Sequence, residues 1–199
     1  MPRAGLTRDG VVAAGADLAD EIGWAELTLA RVAESVGVRA PSLYKHIAGQ
    51  ADLGRRVAAL AFDEAADAMG SAIQGRAGVD ALGAAARALR DFVLGHPGRY
   101  GATLGARAVP GDADDPVAAA AARGLEPLRS VLRGYDVAPD DEVHALRALR
   151  SIFHGFATLQ SAGGFQYATD VDDSYEWLIA FVDHGLHGMA RPRVEDGAS

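Results

Sequence analysis

The chain has 199 residues, a net charge of −8 and no cysteine, and 49% of its residues are apolar. This apolar fraction is sufficient for a folded core, and the absence of cysteine excludes disulfides and cysteine-based zinc sites. No segment approaches the run of about 20 apolar residues that a membrane-spanning helix needs, and the first residues lack the apolar core of a secretory signal, so we expect a cytoplasmic protein without membrane contact.

Helix-forming residues dominate the chain, and no stretch alternates apolar and polar residues for the length of a strand. This pattern predicts an all-α fold of about nine helices without a sheet. Glycine and proline mark several ends, since Gly23 and Gly37 stop two of the helices and Pro116 begins another. The predicted helices cover about residues 7–22, 28–36, 39–46, 50–73, 79–95, 97–107, 116–135, 139–162 and 172–189.

The charge is unevenly distributed along the chain. Residues 1–60 contain seven basic and seven acidic side chains, so the later part of the chain carries the whole net charge of −8. Within residues 28–47 there are three basic side chains and one acidic side chain. A small local excess of positive charge is compatible with a surface that contacts nucleic-acid phosphates.

Residues 28–47 contain the most informative pattern. Apolar residues at helical spacing define one short helix, Gly37 ends it, and Pro41 lies in the first turn of a second short helix. Two helices around a glycine-containing turn form the layout that places the second helix in the DNA major groove. If the apolar residues of that helix pack inwards, four side chains face outwards: Arg39, Ser42, Tyr44 and Lys45.

The run 43–47, Leu-Tyr-Lys-His-Ile, follows the run 32–38, Val-Ala-Glu-Ser-Val-Gly-Val. Together these runs resemble the DNA-binding head of the TetR family of repressors, which ends in a Leu-Tyr-x-His-Phe/Val signature. The resemblance implies base contacts near Ala40, Pro41 and Ser42, and phosphate contacts by Thr28, Arg39, Tyr44 and Lys45.

One residue departs from the family pattern. The family commonly has a lysine at the start of the next helix, where this chain has Gln50. A missing phosphate contact there lowers the salt dependence of DNA binding by about one charge. An alternative interpretation makes residues 28–47 an ordinary helical hairpin, with Tyr44 and His46 at the edge of its core.

The resemblance implies two domains, a helix-turn-helix DNA-binding domain at 1–48 and a helical ligand-binding and dimerisation domain at 49–199. The second domain is similar to a family subgroup that carries a Trp-His-Gly motif. Its matching runs are 96–100, His-Pro-Gly-Arg-Tyr, and 153–155, Phe-His-Gly. Phe153 replaces the tryptophan, which keeps an aromatic ring but removes the indole N–H donor.

Two apolar stripes near the end of the chain have the spacing 3, 4, 3, which suits antiparallel helix packing. Periodicity alone is equally compatible with packing inside one chain. The resemblance favours a homodimer, and two half-sites on one face of a duplex require two heads. The residues assigned to the dimer interface are Leu146, Leu149, Ile179, Val182, Leu186 and Met189.

A pocket for a small hydrophobic effector is predicted in the second domain, because apolar and aromatic side chains with a few polar groups are typical of such sites. For each aromatic residue, core packing is the alternative. The assigned pocket residues are Phe92, His96, Tyr100, Leu104, Phe153, His154 and Phe156.

These features predict a transcriptional repressor that leaves a palindromic operator when an effector binds. A metal-dependent or nucleophilic enzyme is one alternative, but no His-Glu-x-x-His, Gly-x-Ser-x-Gly or phosphate-binding glycine loop occurs, and we expect no metal and no cofactor. A helical interaction protein that binds a small molecule without binding an operator is the other alternative.

Overall fold

A computed structural model describes residues 6–109 and 115–189. Within these ranges the regular structure consists of nine α-helices and two short 3-10 segments, Trp24–Glu26 and Pro139–Asp141, so the predicted all-α fold is confirmed. None of the helices in the described ranges combines the length and apolar character needed to cross a bilayer. The helices are α1 (Arg8–Ile22), α2 (Leu29–Ser35), α3 (Ala40–Leu43), α4 (Gln50–Ala72), α5 (Gly78–Gly95), α6 (Pro97–Gly101), α7 (Pro116–Leu132), α8 (Glu142–Ser161) and α9 (Val171–Gly188).

The chain folds as two compact units. The first comprises Met1–Asp67 and Phe92–Gly124, and the second comprises Ala68–Asp91 and Leu125–Ser199. The first unit extends beyond the head expected from the sequence, because α6 packs against α1. The predicted domain boundary at residue 48 does not coincide with any limit of the two units, and it stays a prediction.

Two helices are shorter than predicted. Helix α3 ends at Leu43 and continues as turns, and α6 ends at Gly101 instead of continuing to residue 107. After α6 the backbone forms i→i−3 hydrogen bonds, from the Thr103 N–H to the Tyr100 carbonyl and from the Leu104 N–H to the Gly101 carbonyl. Such bonds tighten the backbone into turns, which the apolar spacing of the sequence does not reveal.

The core of the first unit joins α1, α2, α3 and the start of α4. Val11, Val32, Leu43, Ile47 and Leu53 are each at most 1% exposed in this core. Burial of one such aliphatic side chain stabilises the fold by about 1.5–3 kcal/mol relative to its exposure. The inward face of the short helix α3 is therefore fixed by apolar contacts with its neighbours.

The second unit has a core built around Tyr175 of α9, which is fully buried. Its hydroxyl donates to the Ala86 carbonyl of α5 at 2.7 Å, and its ring makes an edge contact with Phe153 of α8. The Arg90 guanidinium lies 4.8 Å from the centre of the same ring. Burial raises the pKa of Tyr175, so the hydroxyl remains protonated and keeps its donor.

Asp52 stabilises the first turn of α4. Its carboxylate accepts hydrogen bonds from the Ala48 N–H and from Arg56 Nε, each at 2.9 Å. Burial alone raises the pKa of Asp52, but the hydrogen bonds from Ala48 and Arg56 outweigh this effect and lower its pKa. A carboxylate near a helix N-terminus also interacts favourably with the helix dipole.

We expect Asp52→Asn to lower the free energy of unfolding at pH 7 by about 1–2 kcal/mol, because a charge-assisted hydrogen bond is replaced by a weaker one. Since the folded pKa of Asp52 lies below its ordinary 3.8, the stabilisation is complete above that pH and is lost as the pH falls through the folded pKa. Urea unfolding followed by circular dichroism measures the difference at each pH. Asp67→Asn, on an exposed position of α4, is the control. A difference between Asp52→Asn and wild type that stayed constant at acidic pH would contradict this account.

Candidate nucleic-acid interface

The turn between α2 and α3 depends on Gly37. This residue has a φ of +70°, a conformation in which a side chain is strained. The Gly37 N–H donates to the Glu34 carbonyl, and the Val38 N–H donates to the Ala33 carbonyl at 2.9 Å. These bonds close the end of α2, so the chain enters α3 in a defined direction.

Helix α3 buries one face and exposes the other. Leu43 and the following Ile47 point into the core, whereas Tyr44 is 61% exposed. The exposure of Tyr44 contradicts the alternative that placed it at the edge of the core, whereas His46 is half-buried as that alternative expected. Of the other residues predicted to contact DNA, four are exposed and two are half-buried: Thr28, Arg39, Pro41 and Lys45, then Ala40 and Ser42.

The basic side chains around this surface differ in their pairing. Within the described part of the chain, neither Arg39 nor Lys45 forms an ion pair. By contrast, Arg31 lies 3.5 Å from a Glu26 carboxylate oxygen, and Arg55 and Arg56 both lie close to Asp52. The charges that flank α3 therefore remain available for an external anion.

Gln50 has a structural role that the sequence did not reveal. Its side-chain oxygen accepts from the Leu29 N–H at 2.9 Å, and its amide nitrogen donates to the Leu27 carbonyl at 2.8 Å. The Thr28 hydroxyl between these residues accepts from the Arg31 N–H at 3.3 Å and caps α2. Gln50 thus holds the backbone on both sides of Thr28 where the family commonly has a lysine.

Arg8 is a further cation at this surface. Its Nε donates to the carbonyl of His46 at 3.2 Å, although the two residues are 38 positions apart in the chain. The side chain is exposed at the start of α1. A basic residue in the first turn of a helix gave no sequence signal that distinguished it from an ordinary surface residue.

The residues assigned to the ligand pocket fall in both units. In the first unit, the Phe92 ring lies 5.1 Å from His96 and 6.2 Å from Tyr100, measured between ring centres. His96 Nδ1 also lies 3.1 Å from an Asp20 carboxylate oxygen. Leu104, after α6, is 61% exposed, and its place in the pocket stays a prediction.

In the second unit, Phe153 is fully buried and the Phe156 ring lies 4.8 Å from Tyr175. Burial lowers the pKa of the His154 imidazole, and the charge of Arg150 lowers it further. His154 is therefore neutral at pH 7 and has one ring N–H donor. A shared role of the two aromatic groups in ligand binding stays a prediction.

Most residues assigned to the dimer interface pack inside a single chain. Met189 is 62% exposed, but the other five are at most 8% exposed: Leu146, Leu149, Ile179, Val182 and Leu186. A side chain that its own chain already buries has little surface left to bury against a partner. Leu149, Val182 and Leu186 nevertheless line an apolar groove between α8 and α9, so the assignment of these residues to a dimer interface stays a prediction.

The second unit has an apolar groove of about 310 Å³ between α8 and α9. Ala148 and Gly185 are among the small residues that line it, and Phe181 and Met189 line it from α9. Phe181 is 58% exposed, and its ring stacks on Trp177 with 5.5 Å between centres. Trp177, Phe181, Gly185 and Met189 follow one another at intervals of four along α9 and its C-terminal end, an interval from which this face could have been predicted.

Comparisons with known proteins agree with this architecture. Residues 82–182 match the family described as tetracyclin repressor-like, C-terminal domain. The chain is 34% identical to the HTH-type transcriptional regulator Rv0681 of Mycobacterium tuberculosis over 98% of its own length and 87% of the relative.

Two solved structures have the same fold. BioQ with its natural double-stranded DNA operator has a TM-score of 0.69 and 22% identity, covering 92% of this chain and 99% of that chain. A TetR variant from Acinetobacter baumannii in complex with minocycline has a TM-score of 0.71 and 21% identity, covering 94% of this chain and 100% of that chain. Because it is 34% identical to Rv0681 and the family model matches half of its length, the chain belongs to the TetR family of helix-turn-helix transcriptional regulators.

Proposed function

We propose that this regulator is a repressor that binds a palindromic operator as a homodimer and leaves it when a small hydrophobic ligand binds. The observation that carries the proposal is the surface formed by α3 and the residues that flank it, where Arg39, Tyr44 and Lys45 face solvent while Leu43 anchors the helix in the core. Such a helix can enter the major groove without unfolding its supports. A repressor acts where the chromosome is, which favours a cytoplasmic location.

The exposed groups divide into two kinds of DNA contact. The charged and hydroxyl side chains of Thr28, Arg39, Tyr44 and Lys45 suit phosphate oxygens, which position a protein on the duplex. Ala40, Pro41 and Ser42 are small, so the backbone of α3 can approach the base edges closely, and apolar groups there suit thymine methyls. BioQ, which shares the fold, was solved with its operator.

The dimer is proposed to form through the groove between α8 and α9. Its lining is almost entirely apolar, and Phe181 and Met189 on its α9 side are exposed in the single chain. An exposed apolar surface of this kind favours association with another surface of similar character. The small residues Ala148 and Gly185 permit close approach of a helix from the second copy.

The effector is proposed to bind among the predicted pocket residues of the second unit, Phe153, His154 and Phe156. Their rings and the neutral His154 suit an apolar molecule with a hydrogen-bonding group better than a charged one. A similar fold in TetR was solved with minocycline. If the ligand binds better to the form with lower DNA affinity, linkage requires that it lower DNA affinity by the same factor. We propose no enzymatic activity.

We expect Tyr44→Ala and Lys45→Ala to abolish binding to duplexes that the wild-type protein selects from a random-sequence pool. Lys45→Ala removes a cationic phosphate contact, so its residual binding should have a salt slope smaller by about one charge, whereas Tyr44→Ala removes a neutral hydroxyl and should leave the slope unchanged. Gel-shift titrations at several salt concentrations measure both quantities. The melting temperature should change little, because both side chains are exposed.

Arg133→Ala is the matched control, since Arg133 is an exposed cation of the second unit. It should bind the selected duplex as the wild type does. Normal binding by both Tyr44→Ala and Lys45→Ala would exclude α3 as the recognition helix. Loss of binding in all three variants would indicate nonspecific electrostatics.

We expect Phe181→Glu to convert the dimer into a monomer, because a carboxylate buried in an apolar interface is strongly unfavourable. Analytical ultracentrifugation measures the mass, and affinity for the palindrome should fall by about 10²-fold or more with the loss of two-headed binding. Val79→Glu, at an apolar residue of α5 that is 50% exposed, is the control and should remain dimeric. A dimeric Phe181→Glu variant would place the interface elsewhere.

A further inference from the structure

Arg99 of α6 is a charged residue that is only 8% exposed. Its guanidinium donates to Asp20 at 2.7 Å, to Glu64 at 2.9 Å and also to Asp17. The backbone N–H of Arg99 donates to the other Asp20 oxygen at 2.7 Å. Because Asp17 and Asp20 belong to α1 and Glu64 belongs to α4, one side chain connects three helices of the first unit.

The packing of the backbone at this point is equally specific. A Cβ atom on Gly98 would lie 1.8 Å from the carbonyl oxygen of Ala19, so only glycine fits here. His96 Nδ1 is within 3.1 Å of Asp20. Residues 96–99 therefore fit α1 both by shape and by charge.

The cation at the centre of this cluster is permanent. Burial lowers the pKa of Arg99, but hydrogen bonds to Glu64 and Asp20 outweigh burial and raise its pKa above the ordinary value. A guanidinium is also planar, so its donors hold their acceptors in fixed directions, whereas a lysine ammonium is a single point on a flexible stem. The shape of the guanidinium, and not its charge alone, sets the arrangement of the carboxylates.

Both helices joined by Arg99 support the recognition helix. Helix α1 packs on α2, and α2 packs on α3. Helix α4 holds the start of α2 through the two hydrogen bonds of Gln50. The angle between α1 and α4 is therefore transmitted to α3 along two routes.

We propose that Arg99 is a positioning residue for operator binding, which fixes the angle between α1 and α4 and thereby the direction in which α3 projects. The inference rests on the proposed function. A palindrome presents two half-sites at a set separation of about 34–36 Å or a multiple of it. If α3 projects in one fixed direction, the dimer discriminates between operators with different half-site separations. If the direction of α3 varies, it does not.

The test uses Arg99→Lys, which keeps the charge but lacks the planar fork, and Glu64→Gln, which keeps the side-chain shape. The full-length variants are titrated against three DNA probes. These are a duplex that the wild-type protein selects from a random pool, versions of that duplex with one base pair added or removed between half-sites, and an unrelated duplex at low salt.

We expect both variants to bind the unrelated duplex within about twofold of wild type, because the phosphate contacts are intact. Affinity for the selected palindrome should fall about tenfold, and the preference for its original spacing should shrink. The controls are Arg123→Lys and Asp63→Asn, which change an exposed ion pair between α7 and the neighbouring position of α4. The controls should keep the wild-type spacing preference.

Three results would overturn the positioning role. The first is an unchanged spacing preference in Arg99→Lys and Glu64→Gln, and the second is an equal loss in the controls. The third is a parallel loss of binding to all duplexes with a lowered melting temperature, which would show a structural role only. If the wild-type protein selects no duplex and binds none at low salt, the proposed function itself fails, which is a separate outcome.

Discussion

The proposed DNA-binding surface depends on the apolar contacts between α3 and the core of the first unit. Leu43 and the following Ile47 are buried in the same core as Val32 and Val11, so this helix of four residues needs no stability of its own. An isolated helix of that length would not persist in water, because nucleation is unfavourable and few hydrogen bonds follow it. Because the buried side of α3 holds it in place, the polar groups on its exposed side are not needed for folding. These groups can therefore bind an external partner.

The helix-turn-helix could be predicted from the sequence because its information is local. Gly37 at a turn, apolar residues at helical spacing and Pro41 in a first turn all lie within 20 residues. The exposed positions of Tyr44 and Lys45 then followed from the inward direction of Leu43. Helix ends were predicted less well, since the tightening of the backbone after α6 depends on tertiary packing.

Long-range contacts could not be predicted in the same way. Arg99 meets Asp20 across 79 positions and Glu64 across 35, and the residues around each of them have no pattern that pairs them. From the sequence, Gln50 indicated only the loss of a lysine that would contact phosphate. In the structure its side-chain amide forms hydrogen bonds with backbone groups 21 and 23 positions away. The spacing of Leu149 and Val182 correctly indicated a buried stripe, but spacing does not state whether the cover is the same chain or a second one.

The pairing of basic side chains around the head has a consequence for the search along a chromosome. Arg31, Arg55 and Arg56 each lie beside a carboxylate, so few cations remain to attract arbitrary duplex in a protein whose net charge is −8. Sequence-independent affinity comes almost entirely from such cations. Genomic DNA offers about 10⁶–10⁹ competing sites, and weak attraction to each leaves more of the protein unbound to find its target. The internal ion pairs thus favour low occupancy of non-operator DNA over fast association with DNA of any sequence.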